Sequence, residues 1–142
     1  MGLDPNKKHV LNVGVWNWWK NQGEVMDYAV RLPEVEFHFL GSQAENFKEF
    51  WEPLMERKGD EKIDNCTVWG EVSDVDSYYS CMDLHLFTSK PHGTMAESMP
   101  VALKESVFKW GMPTFLYPNK QYDGLYDNLE NSFFLMDDKD KN

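Results

Sequence analysis

Residues 9–41 read HVLNVGVWNWWKNQGEVMDYAVRLPEVEFHFLG, and their rhythm decides the fold. The first nine are a valine-rich apolar run ended by polar residues, which predicts a strand. Val25, Met26, Ala29 and Val30 then recur at helical spacing until Pro33 stops them. Residues 35–41, VEFHFLG, mix β-branched and aromatic residues and close on Gly41, so a second strand is expected. Strand, helix and strand within about thirty residues is a βαβ unit, and its two strands lie parallel.

The alternation continues along the chain. ENFKEFWEPLMERKG (45–59) spaces Phe47, Phe50, Trp51 and Leu54 as a helix, with Pro53 its weak point. NCTVWGEV (65–72) predicts a third strand, VDSYYSCM (75–82) a short helix capped by Ser73 or Asp74, and DLHLFTS (83–89) a fourth strand. Pro100 to Trp110 is expected to be helical, leaving through Gly111 and barred from continuing by Pro113. PTFLYPN (113–119) and SFFLM (132–136) complete six strands, with a turn or short helix at QYDGLYDN (121–128). The fold class read from this order is α/β, a Rossmann-like doubly wound parallel six-stranded sheet with helices on both faces. It occupies one domain, residues 9–137, with flexible ends at 1–8 and 138–142.

Composition narrows the function classes. A 42% hydrophobic and 15% aromatic content excludes disorder across the 142 residues. A net charge of -10 argues against a nucleic-acid partner, which needs a basic face. No apolar run reaches the roughly 18 residues of a membrane span, and the N-terminal residues lack an apolar signal core. Cys66 and Cys81 have no metal-ligand spacing and suit a reducing compartment, so a cytoplasmic protein is expected. The four histidines show no ligand spacing, so no metal site is expected; His38 and His85, inside strands, read as packing residues with one hydrogen bond each. Asp74 and Asp76 read most simply as helix caps.

Ligands of doubly wound sheets bind at the carboxyl ends of the strands, where two features stand out. After the first strand there is one glycine, Gly14, in place of GxGxxG, so a dinucleotide site is not expected. Lys20 stands at the start of the first helix, where an ammonium group and unpaired amides suit a diphosphate, although a solvated lysine explains it equally well. Trp16, Trp18 and Trp19 in the same loop read as packing residues or as groups facing a ligand or another domain. The second feature is ESMPVALKE, Glu97 to Glu105, with seven residues between the two carboxylates. An exposed ion pair with Lys109 accounts for Glu105 cheaply, and a charge near a helix start accounts for Glu97. The other reading is that the pair takes sugar hydroxyls, with the amides between them meeting phosphate oxygens.

That spacing, and the residues around it, resemble the C-terminal, nucleotide-sugar-binding half of retaining glycosyltransferases of the GT-B fold (glycosyl transferases group 1). GEVSDVDSYYSCMDLHLFTS (70–89) is similar to the family's glycine-valine turn, short helix and Asp-led strand ending in Ser. KESVFKWGMPTF (104–115) resembles its Glu…Gly-x-Pro segment, and Val13, Gly14 and Lys20 resemble its early Val-Gly…Lys. The resemblance spans roughly residues 9 to 137. It implies hexose transfer from a nucleoside-diphosphate sugar to an acceptor the sequence does not name, independent of a metal and with no cofactor. Glu97 would be the catalytic contact to the donor sugar and Glu105 would hold the ribose. Lys20 and Gly14 would serve the diphosphate, Gly70 and Val72 the base, and the Ser98 and Met99 amides the sugar or phosphate.

Two departures qualify the match. The family's Arg after the first-strand glycine is here Val15 or Trp16, and TSKPHGTMAES (88–98) is longer than the usual link, with Lys90 and His92 reading as exposed loop residues. No acceptor-binding N-terminal half is recognisable, so turnover is expected to need a further domain or a second chain. The alternatives are a nucleotide-sugar epimerase half-domain and a non-catalytic α/β interaction module.

Overall fold

A computed structural model of the chain describes residues 2–90, 105–117 and 133–136. Six strands form one sheet: β1 (Lys8–Val13), β2 (Val35–Leu40), β3 (Cys66–Gly70), β4 (Leu84–Phe87), β5 (Thr114–Leu116) and β6 (Phe133–Leu135). Their order is β3-β2-β1-β4-β5-β6 with every pair parallel, the doubly wound topology expected from the alternation. The order reverses between β1 and β4, which opens the ligand crevice there.

Alternation along the strands builds two cores. Val10, Phe37, Phe39 and Leu86 pack with Val25, Met26 and Ala29 of α1 (Gln22–Arg31). Leu11 and Leu40 pack on the opposite face with Tyr79 at the end of α3 (Val75–Tyr79), Met82 and Met112. Glu24 in the first turn of α1 and Arg31 in its last complement the helix dipole. α2 (Lys48–Asp60) runs through Pro53 without breaking, preceded by a tighter turn at Glu45–Phe47. Residues 4–8, assigned to a flexible end by the sequence, are tied to the sheet. The Asp4 carbonyl meets His9 Nε2 at 2.7 Å, and Lys7 bonds Glu36 at 2.9 Å.

The strand histidines differ from expectation. Trp69 Nε1 lies 3.0 Å from His38 Nδ1, and His38 Nε2 lies 3.0 Å from His9 Nδ1. The indole only donates, so His38 accepts at Nδ1 and donates from Nε2, and His9 in turn donates to Asp4. An extra proton would set two donors facing each other. Burial, followed by the neighbouring His9, lowers the His38 pKa to about 4. His85 is fully buried with neither ring nitrogen bonded among the described residues, rather than holding one hydrogen bond. Burial is the main cause that lowers its pKa to about 3.

Both folded-state values lie below the unfolded histidine value, so the unfolded chain takes up protons that the folded chain refuses. Stability is then full above about pH 6.5 and falls on acidification toward pH 4, with His38 alone contributing about 2 kcal/mol of loss between pH 6.5 and 5. Carboxylates hardly titrate in that window. Urea unfolding at pH 7.0, 6.0 and 5.0 measures this, and His85→Met should flatten the curve. A stability unchanged across the window would contradict it.

Candidate functional site at the carboxyl ends of the strands

Three glycines end the first three strands and fit against one another. Gly14 N–H donates to the Leu40 carbonyl at 2.8 Å, and Gly41 N–H donates to the Gly70 carbonyl at 2.9 Å. Gly41 has φ +139°, and a Cβ there would stand 1.9 Å from the Gly14 carbonyl oxygen. Gly70 also has positive φ, +78°, and a Cβ there would meet nothing within 4 Å. It opens the turn toward Val72, which packs on the Leu11, Leu40 and Tyr79 cluster.

Lys20 lies across Gly14, with its Cδ and Cε 2.8 Å from where a Gly14 Cβ would be. Its Nζ sits 5.2 Å from the centre of the Phe87 ring. The backbone holds it there: Lys20 N–H donates to Asn17 Oδ1 at 2.9 Å, and Thr88 Oγ1 donates to the Lys20 carbonyl at 2.9 Å. Asn21, the residue before α1, adopts the left-handed conformation with φ 61°, and Asn21 Nδ2 reaches the Thr88 carbonyl at 3.3 Å. The Asn21 side chain makes no capping hydrogen bond to α1. The exit of β4 and the start of α1 are thus bound together across the switch point, with Lys20 between them.

Trp16 settles as a packing group, while Trp18 stays 36% exposed. Trp16 is fully buried, 4.8 Å from the Phe39 ring, while Trp18 and Trp19 lie edge-on to Phe47 at 6.2 and 5.5 Å. Lys90 is also not an exposed loop residue. Its Nζ stands 3.7 Å from Glu24 and 4.3 Å from the centre of the Tyr117 ring, and Tyr117 in turn bonds Glu24.

Glu105 begins α4 (Glu105–Lys109), a single turn wound i→i+5, with Trp110 N–H donating to the Glu105 carbonyl at 3.1 Å. The Glu105–Lys109 pair that explained it cheaply is not made among the described contacts. Lys109 Nζ instead meets Asp76 at 2.6 Å, joined by Trp110 Nε1 at 3.3 Å. Asp76 therefore ties α3 to α4 rather than capping a helix, and the cap is Asp74, which accepts from Ser77 N–H at 3.3 Å. The Glu105 charge acts on Tyr79, whose hydroxyl pKa is raised first by burial and then by that charge. From Tyr79 a row of rings runs to His85 at 6.1 Å, to Phe87 at 5.8 Å and so to Lys20.

Of the residues singled out in the sequence, Gly14 and Lys20 lie against each other, Gly70 reaches Gly14 through Gly41, and Val72 packs on the buried cluster that holds Tyr79, on which the Glu105 charge acts. Glu97, Ser98 and Met99 lie outside the described residues, as do Pro100 to Lys104 of the expected helix, the turn at 121–128 and the tail. Sequence reading missed Gly41, Tyr79 and Phe87; only Gly41 carried a signal, as a glycine closing a strand. Both cysteines are free, Cys66 buried with its thiol pKa pushed up to about 11 by burial, and Cys81 exposed. Among the described residues, no helix is long and apolar enough to cross a membrane.

No protein-family model and no curated protein sequence matches the chain. Solved structures do. HepE of Anabaena in complex with UDP and glucose matches with TM-score 0.73 at 19% identity, over 84% of this chain and 32% of its own. WaaG, a glycosyltransferase involved in lipopolysaccharide biosynthesis, matches with TM-score 0.72 at 18% identity, over 95% of this chain and 35% of its own. A glycosyltransferase from Rickettsia africae matches with TM-score 0.77 at 15% identity, over 96% and 35%. This chain spans about a third of the length of those proteins, and over that third it carries the GT-B glycosyltransferase fold.

Proposed function

We propose that the chain is the donor-binding domain of a retaining glycosyltransferase, taking a nucleoside-diphosphate hexose in the cytoplasm without a metal ion. The acceptor would be held by a further domain or a second chain. The observation that carries this reading is Lys20, bound by Asn17 and Thr88 and laid over Gly14 at the switch point of a doubly wound sheet. A diphosphate there would meet one ammonium group and the first turn of α1, and both attract an anion. The same contacts strengthen as charge builds on the departing diphosphate, so they would lower the barrier to breaking the sugar–phosphate bond.

The other roles are those the family resemblance implies. Glu105 would accept the ribose hydroxyls, and Gly70 to Val72 would lie against the base. Glu97, with the Ser98 and Met99 amides, would position the hexose. The structures of HepE with UDP and with UDP-glucose support the ligand class.

Amide chemical-shift mapping during addition of UDP, GDP, ADP and UDP-glucose tests the placement. The largest shifts are expected at Gly14, Lys20, Gly41 and Gly70. Shifts gathered instead at the polar cavity between Gly2, Lys8 and Asp83, at the amino ends of the strands, would sink it.

A further inference from the structure

We infer that Gln22 is a positioning residue for the donor diphosphate, holding the Gly14 and Val15 carbonyls inward so that the Val15 N–H is left for a phosphate oxygen beside Lys20. The inference rests on the donor-site reading above and deepens it at the exit of β1.

Gln22 opens α1, yet its side chain is fully buried rather than turned to solvent. Its Nε2 donates to the Val15 carbonyl at 3.3 Å and reaches the Gly14 carbonyl at 3.5 Å. Both neighbours only accept, which fixes the amide nitrogen on that side. Its Oε1 is buried and has no hydrogen-bond partner among the described residues. An unpaired buried acceptor costs stability, so folding alone would favour an apolar side chain of the same length. The glutamine is therefore explained by what its nitrogen holds.

What it holds is the orientation of two successive peptides. In a trans peptide the carbonyl and the following N–H point in opposite directions, so inward carbonyls turn the Val15 and Trp16 N–H groups the other way. Trp16 N–H is taken by the Ser42 carbonyl at 3.1 Å. Val15 N–H has no hydrogen-bond partner among the described residues, and Val15 is 40% exposed. Lys20 stands next to it, with Nζ 3.2 Å from where a Gly14 Cβ would be. An ammonium group and an outward N–H flanking one glycine suit an oxyanion. Released from Gln22, the two carbonyls would turn to water in the crevice and set acceptor oxygens against those of the phosphate.

The discriminating quantity is the preference for a nucleoside diphosphate over its nucleoside, because a glutamine that merely packs would change both affinities or neither. UDP, GDP and ADP are titrated by amide NMR beside uridine, guanosine and adenosine, and the tightest pair is carried forward. In the unaltered chain the Val15 amide proton should move downfield with the diphosphate and hold its place with the nucleoside. Gln22→Met keeps the length of the side chain and drops the nitrogen. It should cut the preference roughly three- to tenfold and leave nucleoside affinity unchanged. Its urea midpoint should equal or exceed that of the parent, since the unpaired oxygen goes as well.

A Val15 amide that ignores the diphosphate overturns the inference, with or without a folded variant. So does a Gln22→Met chain that keeps the full preference, or one that loses nucleoside affinity in equal measure. Lys20→Met separates this inference from the reading beneath it. If Lys20→Met loses the preference while Gln22→Met keeps it, only the role of Gln22 falls. If neither variant loses it, or the unaltered chain takes up no diphosphate, the donor-site reading falls as well.

Discussion

Gly41→Ala is expected to destabilise the chain by more than about 4 kcal/mol, enough to leave much of it unfolded at room temperature. Two independent costs combine. At φ +139° the backbone is in a region that side chains rarely adopt, and the Cβ would stand 1.9 Å from the Gly14 carbonyl oxygen. The clashing atom belongs to the backbone, so no rotamer change relieves it. Gly14 is itself pinned by its bond to Leu40, and Gly41 by its bond to Gly70. Relief therefore means parting β1 from β2 at the point where Lys20 is seated. Gly59→Ala, inside α2 with nothing within 4 Å of the added methyl, is the matched comparison and should gain about 0.5–1 kcal/mol. Urea unfolding of both variants decides the matter. A Gly41→Ala chain within 1 kcal/mol of the parent, by the same measure of order, would mean that the three strand-end glycines are not packed as described.

Lys20→Met is expected to weaken nucleoside-diphosphate binding about 10- to 100-fold while leaving the fold in place. Methionine keeps an unbranched stem to cover Gly14 and Phe87, so the change isolates the charge. The Lys20 charge also helps to lower the His85 pKa, so the variant should let that pKa rise. Calorimetry reads the first effect and histidine NMR the second. Unchanged affinity beside a raised His85 pKa would assign Lys20 a structural place only, and would remove the diphosphate role.

The fold was legible because strand and helix periods alternate without interruption from Val10 to Leu116, and parallel strands require crossovers of that length. The position of Gly14 and Lys20 at the carboxyl end of the first strand was legible as well, from the order of the elements. The ion pair with Lys109 that would explain Glu105 cheaply fails for a local reason. A 3.6-residue helix sets Lys109 one turn above it, whereas the i→i+5 winding frees Lys109 to reach Asp76 on a different helix. The influence of the Glu105 charge on Tyr79 joins elements with β4 between them, and no short-range spacing encodes it. The His9–His38–Trp69 chain was hidden in the same way. Its members lie on three neighbouring strands, and only the register of the sheet brings them into line. Trp16 read as a loop residue because it follows the strand, yet the turn held by Trp16 N–H to the Ser42 carbonyl at 3.1 Å carries its ring into the core.

The most direct measurement is a calorimetric titration of the unaltered, folded chain with UDP, GDP and ADP in parallel. Saturable binding at one site, selective for one of the three bases, is expected. A folded chain that takes up none of them, or all three alike, would contradict a nucleotide-sugar donor site at the carboxyl end of this sheet.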